Sequence, residues 1–213
     1  MRQEYVPALH RGAGRNLRGD SASKRAPRSR PADGVGIVFQ HHALLDWRNV
    51  HDNILLPIEF AGKPVASYAA KVDHLLKMTG LQEFAGSYPR ELSGGMRQRA
   101  AICRALVDDP PLLLMDEPFG ALDAMTRESL QDELARLVRE QGLTVVFVTH
   151  DLEEALYLGD RVIALRSNPT LEKPSLAAVI DVPLPLPREQ LATKEHPEFL
   201  RLRRELYQYL GHA

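Results

Sequence analysis

Pro111-Leu112-Leu113-Leu114-Met115-Asp116-Glu117 is the stretch that decides the fold. An unbroken apolar run that ends in two carboxylates describes a strand buried on both faces, with a wet carboxyl end. Downstream, Leu130, Leu134 and Leu137 recur at i, i+4 and i+7 and predict a helix that stops before Gly142. Thr144-Val145-Val146-Phe147-Val148-Thr149 is the strongest strand signal of the chain, and it ends at His150. Asp151, with Glu154 three residues on, predicts a capping box for the next helix. Upstream, Val35–Phe39 reads as a short buried strand ending at Gln40. Residues 50–90 read as helical, with Tyr68, Val72, Leu75 and Leu76 on one face and Gly80 placed to stop the helix. Val162–Leu165 and Ala177–Val182 are weaker strands, and a closing helix from Pro197 sets Phe199, Leu202, Leu206 and Tyr209 on one face. Strands alternating with helices, without internal repeats, imply an α/β domain. Its sheet should be largely parallel, with ligands at the carboxyl ends of the strands.

Composition narrows the function classes. The chain has 213 residues, 44% hydrophobic and 26% charged, which excludes a collagen-like or wholly disordered polymer. The net charge of -1 gives no global case for a nucleic-acid binder. Yet residues 1–32 carry Arg2, Arg11, Arg15, Arg18, Lys24, Arg25, Arg28 and Arg30 against two acids. That segment is rich in Arg, Ser, Gly, Ala and Pro and shows no lasting apolar period. It reads as a disordered or artefactual head, with a basic arm or an Arg-rich targeting peptide as the alternatives. Nucleic acid is not expected as a partner, because no aromatic stacking platform accompanies the charge. The single cysteine, Cys103, excludes an internal disulfide and reads as a buried small hydrophobe. No apolar run approaches the roughly 20 residues of a membrane span, so any role at a membrane would need a partner that crosses it.

Four features carry chemistry. Leu92-Ser93-Gly94-Gly95-Met96-Arg97-Gln98-Arg99 opens a helix; Ser93 suits the N-cap, and the glycines let a large anion approach free N–H groups at the positive end of the helix dipole. Asp116 at its strand end can hold Mg²⁺ together with phosphate oxygens, and Glu117 can orient and deprotonate a water. His150 can contact a γ-phosphate, and Gln40 can bridge a metal or water to a moving segment. Alone, each has an ordinary alternative: a capped helix start, two solvated acids, a surface histidine. His41, His42 and His51 with Asp46 and Asp52 have no standard metal-site spacing and read as exposed loop residues.

Taken together and in order, Val38-Phe39-Gln40, Leu92–Arg99, Leu112–Glu117, Gly120-Ala121-Leu122-Asp123 and Val148-Thr149-His150 resemble the Q-loop, signature motif, Walker B, D-loop and switch histidine of ABC transporter ATP-binding subunits. Within that family, Ala43–Val50, Asp52-Asn53, Met96, Pro183–Pro187 and Pro197-Glu198-Phe199 resemble the nitrate, sulfonate, taurine and bicarbonate importers. The resemblance implies a partial RecA-like P-loop NTPase core from residue 33 to 213, with an inserted helical signature subdomain over roughly 43–106. It implies ATP and Mg²⁺ as cofactors. Asp116 and Gln40 would hold the metal, Glu117 would be the base and His150 would touch the γ-phosphate. Ser93, Gly94 and Gly95 would bind nucleotide held by the opposite subunit, and Asp123 would signal across that interface. The implied partners are a second ATP-binding subunit in a head-to-tail dimer, transmembrane permease subunits and, indirectly, a periplasmic or lipid-anchored solute-binding protein. The implied place is the cytoplasmic face of the inner membrane.

One element is missing from the pattern. No G-x-x-x-x-G-K-[ST] occurs in the 213 residues, and the nearest imitation, Gly14 to Gly19, has Asp20 where the lysine should stand. The expectation is a chain shortened, or read from a wrong start or frame, at its N-terminal side, and inactive alone. A non-hydrolysing ABC fragment that only completes a partner's site is the alternative.

Overall fold

The computed structural model describes residues 6–11, 34–167 and 174–210. Six strands form one sheet in the order β2-β3-β4-β1-β5-β6, with β1 at Val6–Arg11, β2 at Val35–Val38, β3 at Leu112–Asp116, β4 at Thr144–Thr149, β5 at Arg161–Ser167 and β6 at Pro174–Asp181. Seven helices accompany it: α1 Val50–Phe60, α2 Ala69–Met78, α3 Gly94–Leu106, α4 Ala124–Gln141, α5 Leu152–Leu158, α6 Gln190–Glu195 and α7 Pro197–Leu210. The expected strand and helix positions are met to within one to three residues, the largest difference being β6, which starts at Pro174 and not Ala177. The sheet is only half as expected: β2, β3 and β4 run parallel, while β1, β5 and β6 add antiparallel ladders.

The basic head is corrected in part. Val6–Arg11 is a strand between β4 and β5, paired along six residues with β4. Six residues are too few for an apolar period to show. An opening between two strands offers two rows of unpaired backbone groups, so even a weak strand former gains by closing both. The Gly14–Gly19 imitation of a phosphate loop lies outside the described residues.

Local signals explain the helices. Gly142 and Gly80 take φ of 65° and 64°, the left-handed region where glycine carries no Cβ penalty, and end their helices there. Val72, Leu75 and Leu76 turn inward from α2, and Leu130, Leu134 and Leu137 from α4. In α7 the inner row is Phe199, Leu202, Leu206 and Leu210; Tyr209, expected inside, is 42% exposed, because the helical period returns the inward face to 210. The capping box at α5 is only half formed. Asp151 accepts from the Glu153 and Glu154 amides, but the Glu154 side chain turns into the core, and the Asp151 amide donates to Thr149 Oγ1 instead.

The helices lie on one face of the parallel strands, where α4 and α5 set Leu134, Ala135, Val138 and Leu158 against Val145 and Phe147. The other face is apolar too. Ile37, Leu114 and Val146 stand in one row across β2, β3 and β4, with Ile37 43% exposed and Leu112, Leu114, Val146 and Val148 half-buried.

Close packing at β2 gives a test. A Cβ at Gly36 would stand 2.6 Å from the Ala105 carbonyl oxygen and 2.9 Å from Leu113 Cδ1 and Pro110 Cγ. Gly36→Ala is expected to cost about 1–3 kcal/mol by overpacking, read as a lower urea midpoint with an unchanged slope.

Candidate functional site

Register builds the site. Parallel pairing aligns Val38 with Met115 and Asp116 with Val148. Two residues past Val38 and two past Met115 are Gln40 and Glu117, while two past Val148 is His150. The three side chains therefore emerge side by side at the carboxyl ends of adjacent strands. Gln40 Nε2 donates to Glu117 Oε2 at 3.1 Å, and His150 Nδ1 lies 3.2 Å from Glu117 Oε1. Both carboxylate oxygens of Glu117 are thus engaged, one from each flank. Its side chain is 9% exposed and that of His150 is 58% exposed. Glu117 also has φ of 44°, a left-handed conformation that costs a non-glycine residue about 1–2 kcal/mol. Its amide donates to the Val148 carbonyl at 2.8 Å, which holds the turn in that shape.

Asp116 ends β3 exposed to solvent next to this cluster. A free carboxylate oxygen with a neighbouring amide oxygen from Gln40 is a hard-donor set that suits Mg²⁺, provided phosphate oxygens and water complete the shell. A cavity of about 80 Å³ is lined by Glu117, Phe119, Arg127, Thr149, His150 and Glu154 among others.

The remaining expected residues are placed apart from that cluster. Ser93 is the N-cap of α3 and accepts from the Met96 amide at 3.2 Å, as its position predicts. Gly94 and Gly95 follow in the first turn, and Gly95 is pressed against the chain's own D-loop: a Cβ there would meet Leu122 Cδ2 at 2.9 Å. No hydrogen bond or ion pair among the described residues joins Ser93–Gly95 to Gln40, Glu117 or His150. Asp123 caps α4, accepting from the Thr126 amide at 3.0 Å, and this hydrogen bond holds its carboxyl below the usual range. Cys103 is fully buried and burial pushes its thiol up to about 12, so it is inert at neutral pH. Of the histidines in the loop group, His42 meets Gln98 and His51 meets Asp52.

Sequence reading missed a second row behind the site. Glu154 is 6% exposed and accepts from Gln131 Nε2 on α4 at 3.0 Å. Burial raises its carboxyl above the usual range, against the lowering pull of hydrogen bonds from Thr149 and Gln131 and of the Arg127 charge. Gln190 then donates to Gln131 Oε1 and to Asp132 Oδ1, so the C-terminal segment reaches the same row. The available signal was a glutamate set among Leu152, Ala155 and Leu156, an acid on an otherwise apolar face.

Residues 9–120 match the ABC transporter family. The chain belongs to that family. The relatives of this cassette include the nitrate import ATP-binding protein NrtD of Synechococcus elongatus, 42% identical over 86% of this chain and 67% of that protein. NrtC of the same organism is 43% identical over 82% of this chain but only 26% of its own length, and the taurine import ATP-binding protein TauB of Rhizobium johnstonii is 48% identical over 65% and 53%. The cassette thus spans about a quarter to two thirds of the length of these relatives. Among solved structures, the ATP-binding cassette MJ0796 as a dimer in a post-hydrolysis state with ADP and Pi superposes with a TM-score of 0.57 at 39% identity, covering 62% of this chain and 58% of that one. The fold is accordingly a partial RecA-like P-loop core with helices α1–α3 inserted between β2 and β3.

The buried glutamate makes the cassette's stability depend on pH. A carboxyl whose folded value is raised binds its proton more tightly in the folded state, so stability falls as pH rises through and above the ordinary glutamate range. Glu154→Gln is expected to keep the bond to Gln131, flatten that fall and raise the melting temperature at pH 7 relative to the parent. Melting curves between pH 4 and 8 check it.

Proposed function

We propose that this chain is the ATP-binding subunit of an importer for nitrate-, sulfonate- or taurine-like anions, and that its 213 residues alone hydrolyse ATP negligibly. The observation that carries the reading is the cluster of Gln40, Glu117 and His150 at the carboxyl ends of adjacent parallel strands. The names of NrtD, NrtC and TauB support the solute class.

The residues divide the work as follows. Asp116 and Gln40 would hold Mg²⁺, which would supply positive charge against the transferred phosphoryl group. Glu117 accepts the proton of the attacking water. Each of its oxygens keeps a lone pair beyond the single bond it accepts, and the exposed His150 would open Oε1 further by turning towards a γ-phosphate. Ser93, Gly94 and Gly95 bind nucleotide carried by a second ATP-binding subunit in a head-to-tail dimer, and Asp123 lies on that interface. Transmembrane permease subunits dock on the loop and helix beside Gln40, where Trp47 is 73% and Phe60 82% exposed. No helix of the described residues is long and apolar enough to cross a membrane, in keeping with a peripheral place on the cytoplasmic face of the inner membrane. A solute-binding protein enters only through the permease.

The weak link is the grip on phosphate. The sequence holds no Walker A pattern, and the sheet face formed by Ile37, Leu114 and Val146 has no helix packed on it among the described residues. Parallel sheets are ordinarily covered on both faces, so this face is where a helix following a phosphate-binding loop would lie. The same two observations support a second reading, a non-hydrolysing fragment that completes a partner's site through Ser93–Gly95.

Three backbone or lysine contacts to phosphate, each charge-assisted, are worth on the order of 1.5–3 kcal/mol apiece, so their loss should weaken ATP binding by roughly a thousandfold or more. Titration of the purified chain with labelled ATP and Mg²⁺ is expected to show no micromolar binding; finding it would overturn the inactivity. Cysteines placed at Trp47 or His51 are expected to crosslink to a permease in membranes, and crosslinks to soluble proteins only would sink the importer reading. In a chain supplied with a complete N-terminal portion, Glu117→Gln is expected to stop turnover while leaving nucleotide binding intact.

A further inference from the structure

The segment that leaves Gln40 is tied to α3. The Arg104 guanidinium donates from Nη1 to the Ala43 carbonyl at 2.6 Å and from Nη2 to the His42 carbonyl at 2.9 Å. His42 Nδ1 lies 2.5 Å from Gln98 Oε1. Ala43 between these ties has φ of 47°, a left-handed conformation that alanine does not hold unaided. Gln98 is 1% exposed, yet its Nε2 has no hydrogen-bond partner among the described residues. A buried amide left half unmet stabilises a fold poorly. What Gln98 does provide is a fixed direction for the His42 ring. Further on, Asn53 receives the Leu45 amide at 2.7 Å and donates to the carbonyls of Leu45, Arg48 and Asn49, so the loop that presents Trp47 is rigid as well. Ser93 and Arg104 lie eleven residues apart on one helix, about 16 Å at 1.5 Å per residue.

We infer that Arg104 and Gln98 are positioning residues that fasten residues 41–43 to α3, so that the exit of the Gln40 segment and the Ser93–Gly95 end of the helix move as one body. A push received beside Gln40 is then delivered to the signature end without slack. This deepens the importer reading and rests on it for the meaning of the motion, though not for the fastening itself.

Spin labels at His41→Cys and Arg90→Cys test the fastening in the full chain without nucleotide or permease, because the buried Cys103 does not label. Gln98→Met keeps length and apolar packing while removing the bond to His42; Arg104→Lys keeps the charge but not the two-pronged fork. The expected result is a label-to-label distance distribution about twofold wider in each variant. In Gln98→Met it should come with shifted ¹⁵N signals of the His42 ring and an unchanged melting temperature. A width unchanged in either variant overturns the inference. So does a Gln98→Met chain that melts lower, since Gln98 would then be a fold determinant. Failed permease crosslinks at Trp47 would sink the importer reading and leave these distances as they are.

Discussion

Parallel pairing of β2, β3 and β4 in one register is the constraint on which the rest depends. Because Val38, Met115 and Phe147 share a level, the residues two or three steps beyond them must meet. Glu117 is the meeting point, and its left-handed backbone aims the carboxylate between Gln40 and His150. A slip of one residue in any of the three strands would exchange buried Leu113, Met115 and Phe147 for the open face and scatter the cluster. Core packing and site geometry are therefore one requirement.

The polar row behind the site follows from the same arrangement. Thr149, the last residue of β4, accepts the Asp151 amide, and Glu154 one turn into α5 meets Gln131 of α4. From there Gln190 reaches Gln131 and Asp132, and Asp132 receives the Tyr157 hydroxyl. Arg188, 7% exposed, ties the carbonyls of Tyr157 and Gly159 to the C-terminal segment. The His150 side chain is 58% exposed, while Thr149 and Asp151 on either side of it are tied to each other.

How much of this was legible in the sequence depended on the range of the interaction. Leu112–Asp116 and Thr144–Thr149 announced themselves as continuous apolar runs, although their second face proves only half-buried, and Ser93 announced itself because capping is decided within three residues. Tyr209 was misassigned by one position on a helix whose inner row is set by what α7 packs against. The turned-in Glu154 was misread for the same reason: its partner is 23 residues away in sequence. Val6–Arg11 was illegible because its pairing is supplied by β4 and β5, over a hundred residues downstream, and not by its own pattern.

The antiparallel entry of β1 also bears on how the core holds together where the described residues place helices on one face of β2, β3 and β4. Its ladder with β4 and its shorter one with β5 satisfy backbone groups that would otherwise line a gap in the middle of the sheet, where each unmet pair would cost more than at an edge. That repair joins β2–β3–β4 to β5–β6 but adds nothing over Ile37, Leu114 and Val146, whose side chains stand on the face away from the helices. Strand order and the meeting of Gln40, Glu117 and His150 depend on register, which this repair leaves intact. Ser93, by contrast, is placed by the helix it caps and not by strand register: it opens α3 and accepts the Met96 amide.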